Sequence, residues 1–169
     1  IPIDSTSYAK PDALRDALAS GAVDVAVLPE PMVTITTSAN SAVTVALDLT
    51  EEWNRVSPEG SLAQGCIVVR TEFAAQHPAE VAAFLEEYRS SVQLVIDQPT
   101  EAGVMIQAQG IFAKAPVAAK AIPNCNLCIL TGAEMKAAMS AFLNVMYEVQ
   151  PKSIGDAIPA DDFYYISGK

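Results

Sequence analysis

The sequence predicts an α/β protein, a largely parallel or mixed sheet flanked by helices. Three observations predict it. Short apolar runs alternate with amphipathic stretches, as expected of βα units around a sheet. The first 28 residues read as one complete βαβ unit with short connections. About half of the 169 residues are apolar and 18% are charged, which excludes a disordered chain and permits a sizeable core.

Residues 1–3 form the first expected strand, followed by the polar loop of Asp4, Ser5, Thr6 and Ser7. Pro11 opens a helix whose buried face is Leu14, Ala17 and Leu18, and Gly21 ends it. Residues 23–28 follow as a strand. Pro29, Glu30 and Pro31 then fix the backbone around one carboxylate, ahead of a short helix with a weaker pattern. Residues 43–49 read as a strand, residues 50–55 with the single tryptophan as a short helix or turn, and residues 62–69 as a further strand.

Beyond that point the character is helical. Pro78 begins a helix in which Val81, Phe84, Leu85, Tyr88, Val92, Val95 and Ile96 trace one apolar stripe. Residues 100–109 are a second helix closed by Gly110, and residues 116–121 a short third. Residues 126–130 are the last expected strand. Thr131 and Glu134 carry the S/T-x-x-E capping-box signature of a long helix that Pro151 terminates. The tail ends in the aromatic run Phe163, Tyr164, Tyr165, which suits clamping an element down.

Composition excludes several function classes. A net charge of −10 repels phosphate backbones and anionic headgroups, so nucleic acid is not an expected partner. No Gly-x-Gly-x-x-Gly, Walker loop, Gly-x-Ser-x-Gly or His-Glu-x-x-His occurs. The one histidine, His77, precedes a proline where a helix starts, so its expected role is helix entry rather than general base or metal ligand. Cys125 and Cys128 form a C-x-x-C that leads into an expected strand instead of a helix N-terminus. The order is wrong for a thioredoxin-type site, and a zinc site would have to recruit Cys66 and His77 from distant segments. Two small buried side chains are expected, with a disulfide open outside the cell. No catalytic residue, metal or cofactor is expected.

Position points to a binding site. In an open parallel sheet, ligands sit beyond the carboxyl ends of the strands, where loops and helix N-termini present N–H groups. The first two expected strands place Ser5, Thr6 and Ser7, with Pro29 and Glu30, at one such edge. The hydroxyls and amides suit an anionic or polar ligand, or serve only as helix caps. A carboxylate held between two prolines suits a cationic or hydrogen-bond-donating ligand.

The stretch "ALASGAVDVAVLPEP" at 17–31 resembles the solute-binding proteins of bacterial ABC importers, in the branch with nitrate, sulfonate, taurine and thiamine-precursor binders. The resemblance continues through "GCIVVRTEFAAQHPAEVAAFLEEYRSSVQLV" (65–95), "AIPNCNLCILTGAEMKAAMSAFLNVMYEVQPKSIG" (121–155) and "IPADDFYYI" (158–166). It implies part of a bilobed type II periplasmic-binding fold, closing on a small solute and handing it to permease subunits in the membrane without catalysis. Family members are about twice as long, so the chain resembles their C-terminal half. Residues 1–62 would then close the second lobe, and residues 63–169 would supply the return crossing strand and the end of the first. Glu30 falls at the cleft in this comparison, and Gln64, Gly65 and Cys66 on the crossing strand are the next contacts. The resemblance also implies an extracytoplasmic location, with a lipid anchor expected in full-length form. The chain begins at Ile1 without an initiator methionine, the mark of a processed product or a cut piece.

Two alternatives stand beside this reading. One is an enzyme on the same fold, like the fungal thiamine-pyrimidine synthases that resemble this family; here it would have to rely on His77. The other is a self-associating module, because faces that normally meet a missing half would favour dimerisation.

Overall fold

A computed structural model describes residues 7–57 and 62–167. These residues form eight α-helices: α1 (Pro11–Ala19), α2 (Met32–Ala39), α3 (Leu49–Val56), α4 (Thr71–Gln76), α5 (Pro78–Asp97), α6 (Pro99–Ala108), α7 (Ala115–Ala121) and α8 (Gly132–Val149). Short 3₁₀ turns at Ile122–Asn124, Pro151–Ile154 and Asp161–Phe163 complete the ordered elements.

No strand occurs among the described residues. The α/β class and the mixed sheet expected from the sequence and from the type II periplasmic-binding resemblance are therefore corrected: the described chain is helical. Residues 1–3 lie outside the described residues. The other four expected strands, 23–28, 43–49, 62–69 and 126–130, run without ladder pairing, and the second gives up Leu49 to α3. A run of alternating valines satisfies the local requirement for a strand, but a strand also needs a lateral partner for its N–H and C=O groups. That partner is a tertiary feature which no single segment encodes. Without it Val25 and Val27 stand 85% and 72% exposed.

The expected helices form close to their predicted limits. α1 starts at Pro11 and closes before Gly21, whose φ of +76° is the left-handed conformation a helix stop requires. α5 starts at Pro78 and α8 ends before Pro151. The Thr131 capping box does not form. Its hydroxyl makes no bond to the helix N-terminus and instead accepts one from Arg89 Nη2 at 3.2 Å.

The chain folds as two compact units, each made of two separate stretches. The first comprises Ile1–Ala46 and Ser90–Cys128. In it α1 packs on α2, with Asn40 Nδ2 donating to Ala19 O at 3.0 Å, so that the ends of the two helices are tied together. α2 also packs on α7, where Lys120 Nζ bonds Ser38 Oγ at 3.0 Å. The tightest pairing is α6 with α7. Ala102, Gly103, Ala118 and Ala121 are buried there, and small side chains let the two backbones approach closely.

The second unit comprises Leu47–Arg89 and Ile129–Lys169. Asp48 caps α3, accepting from Thr50 N at 2.8 Å and Glu51 N at 3.3 Å. The single tryptophan, Trp53, sets α3 against α8 with its ring 5.6 Å from that of Phe142. The aromatic tail is clamped onto α8 as its composition suits. Tyr164 is buried, accepts a bond from Ser140 Oγ at 3.1 Å, and lies 5.8 Å beneath the Lys136 ammonium, which pairs with Asp161 at 2.7 Å.

Candidate functional site around Glu30

The site is built on the start of α2. Proline at 31 leaves the N-cap position of this helix with no polar side chain to receive the first amides. The preceding residues supply the acceptors. Pro29 O takes Met32 N at 2.9 Å and Val33 N at 3.3 Å, while Glu30 Oε2 takes Thr34 N at 3.1 Å. Glu30 Oε1 accepts from the Thr34 hydroxyl at 3.0 Å, and Thr34 is 3% exposed. The Glu30–Pro31 peptide is cis.

Three consequences follow. The carboxylate is held by two bonds to one residue and lies at the start of a helix, so its position is fixed. The first amides of α2 are already bonded, so this terminus does not offer them to an anion. Each Glu30 oxygen has a further lone pair, and the side chain is only half-buried. The arrangement can therefore accept hydrogen bonds from a cation or a neutral donor, while it opposes an anion.

Cys125 belongs to the same electrostatic neighbourhood. It follows the 3₁₀ turn after α7, is half-buried, and donates through Sγ to Ala121 O at 3.3 Å. Burial pushes its thiol up from the ordinary value, and the Glu30 charge adds to that rise. Sequence spacing does not connect Glu30 with Cys125, which are 95 positions apart. The packing of α2 on α7 relates them.

The residues singled out from sequence fall into three groups. Ser7, Pro29 and Glu30 belong to the first unit, with Ser7 and Pro29 exposed. Gln64, Gly65 and Cys66 are exposed and belong to the second. Ser5 and Thr6 lie outside the described residues.

The first unit also holds a recess of about 300 Å³ that the sequence did not reveal, lined by Ile96, Ile122, Pro123, Asn126 and Leu127. Its lining comes from one helix end and one loop, a juxtaposition with no periodic signature. Asn126 adopts φ of +50° in that loop. Glu30 is not part of its wall.

The remaining chemistry is structural. His77 closes α4 and precedes α5, stacks on Phe73 with centroids 4.7 Å apart, and sets Nδ1 3.3 Å from Glu80 Oε1. The Glu80 carboxyl is held below its ordinary value by a backbone hydrogen bond first and by His77 second. Cys66, Cys125 and Cys128 are free thiols. Among the described residues no three metal-ligating side chains converge, and no helix is long and apolar enough to cross a membrane.

No protein-family model and no curated protein matches the sequence. A solved structure does match: the crystal structure of an ABC transporter from Parabacteroides distasonis, with a TM-score of 0.82 and 24% identity. The match covers 95% of this chain and 55% of that one. The two share a fold over nearly all of this chain, which spans about half the length of the matched structure.

Proposed function

We propose that the chain is part of the solute-capturing component of an ABC-type import system, binding a small polar molecule for delivery to membrane permease subunits. The fold shared with an ABC transporter structure over 95% of the chain carries this reading. The resemblance to solute receptors in the four sequence blocks supports it. In this reading the protein binds without catalysis and works on the outer side of the membrane, tethered by a lipid in full-length form. Its charge of −10 suits a protein that must work beside anionic lipid without adhering to it.

The chemistry around Glu30 favours the kind of solute. A half-buried carboxylate with spare lone pairs, beside a helix terminus whose first amides are already bonded, suits a cationic or donor-rich molecule. An amine or aminopyrimidine fits this description better than nitrate or a sulfonate.

The test is a thermal-shift screen of the 169-residue chain against polyamines, aminopyrimidines, amino acids, sulfonates and nitrate. A ligand that binds only the folded state stabilises it by about 2.7 kcal/mol at one hundred times its dissociation constant. An amine or aminopyrimidine is expected to raise the melting temperature, and Glu30→Gln is expected to abolish the shift. Gln keeps one acceptor for the Thr34 amide, so the local fold should survive. Failure of every compound to shift a well-folded chain, or an anion that binds equally well to Glu30→Gln, would refute the proposal.

A further inference from the structure

We propose that Cys125 and Cys128 are a redox-active pair: exchange with a low-molecular-weight disulfide converts the two thiols to a disulfide that ties down the loop walling the recess of the first unit. The proposal is independent of the solute-binding reading.

Both cysteines belong to the Ser90–Cys128 stretch of the first unit, and both are free thiols. Residues three positions apart lie no more than about 10 Å from each other even in a fully extended chain. This pair is closer, because Asn126 between them has φ of +50°, and a left-handed residue brings its two neighbours nearer than an extended one does. A disulfide accepts Cα separations of about 4.4–6.8 Å. Leu127 and Cys128 make no backbone hydrogen bond to another described residue, so rotation there can bring the sulfurs together without breaking a helix.

The two thiols are unequal, as an exchange pair requires. Cys128 is exposed, whereas Cys125 is half-buried and donates through Sγ to Ala121 O at 3.3 Å. Burial pushes the Cys125 thiol up, with Glu30 adding to the rise. The thiolate is the attacking form, and access sets its rate. Cys128 therefore meets the reagent and Cys125 resolves the product. With glutathione disulfide, the Cys128 thiolate attacks one sulfur, the S–S bond breaks, and one glutathione thiolate leaves as a Cys128–glutathione disulfide forms. The Cys125 thiolate then attacks the Cys128 sulfur and expels the second glutathione. Each departing thiolate takes up a proton that a cysteine has given up, so two thiols are oxidised and one disulfide is reduced.

The closed ring contains Asn126 and Leu127, two residues of the recess wall, and Pro123 lies just ahead of it. Closure fixes Cys128 to the end of the 3₁₀ turn Ile122–Asn124 and with it that side of the recess. It also removes the hydrogen that Cys125 donates to Ala121 O, which opposes closure and lets excess reduced thiol reopen the bond.

The test incubates the 169-residue chain with glutathione disulfide at pH 8 without oxygen, followed by acid quenching and peptide mass mapping. Cys66, in the second unit and with no cysteine near it in sequence, is the internal control and is expected to carry glutathione. The peptide with Cys125 and Cys128 is expected to become two hydrogens lighter and to carry none, and excess reduced glutathione is expected to reverse this. Cys125→Ser is expected to stop at glutathione on Cys128. In Cys128→Ser, Cys125 is expected to take up glutathione about tenfold more slowly than Cys128 does in Cys125→Ser. Amide hydrogen exchange at Leu127 and Cys128 is expected to slow in the oxidised chain. A parent peptide that keeps glutathione on Cys128, equal rates for the two single variants, or unchanged amide exchange after closure would overturn the proposal.

Discussion

Gly103→Ala sets two opposing effects against each other where α6 meets α7. Gly103 lies inside α6, where alanine is intrinsically the better helix former by about 1 kcal/mol. On propensity alone the substitution stabilises. A Cβ at this position, however, would sit 2.5 Å from Ala115 O, 3.1 Å from Ala119 N and 3.2 Å from Ala119 Cβ. The nearest atom is backbone and cannot swing aside as a side chain would, so α6 and α7 must separate. Overpacking a close-packed contact costs about 1–3 kcal/mol, and a clash with backbone belongs at the upper end. The net expectation is a loss of about 2 kcal/mol, equivalent to a fall of roughly 4–8 °C in Tm for a chain of this size. Thermal unfolding followed by circular dichroism at 222 nm measures it. Val104→Ala is the control: its side chain is 59% exposed, so it tests propensity without the clash and should stay within about 0.5 kcal/mol of the parent. A Gly103→Ala chain that melts at or above the parent temperature would refute the argument that backbone approach at Gly103 sets the α6–α7 contact.

Two predictions concern titrating groups. Cys125 should react with iodoacetamide more slowly than Cys66 and Cys128 at pH 8, because its thiol is half-buried and pushed up while theirs are exposed. Glu30→Gln should accelerate Cys125 without bringing it level, since burial is the larger cause; peptide mass mapping of the alkylated chain reads the rates. The raised Cys125 thiol also works against stability at alkaline pH, because the unfolded thiol ionises first and stability declines as pH climbs past about 9. For Glu80 the sign is opposite. Its lowered carboxyl contributes stability above its unfolded value of 4.5, lost as pH falls through the lower folded value. The acid limb of a Tm-against-pH curve should therefore flatten in Glu80→Gln, and an unchanged limb would remove Glu80 as a contributor.

The helices were legible because their information is local. Pro11, Gly21, Pro78, Gly110 and Pro151 fix where backbone can enter or leave helical conformation, and these limits hold whatever surrounds them. Glu30 stood out for the same reason, since two flanking prolines are visible in the sequence. Its bonds to Thr34 were not read, although the separation of four residues would have allowed it; the missing clue was that a proline N-cap leaves those amides to the preceding carboxylate. The Thr131 capping box failed because Arg89, 42 positions away, claims the hydroxyl.

Sequence alone thus determined the helical segments other than α4, most of their stops, the acidic character and the constrained carboxylate, because each depends on backbone chemistry or charge within a few residues. Only the tertiary structure decided that the alternating valine runs are unpaired segments rather than strands, that Cys125 lies within reach of the Glu30 charge, and that Gly103 admits no side chain. Each of these depends on what lies beside a segment in space: a ladder partner, a neighbouring charge or an opposing backbone. Periodicity records which face of a segment is apolar and leaves open what will meet it.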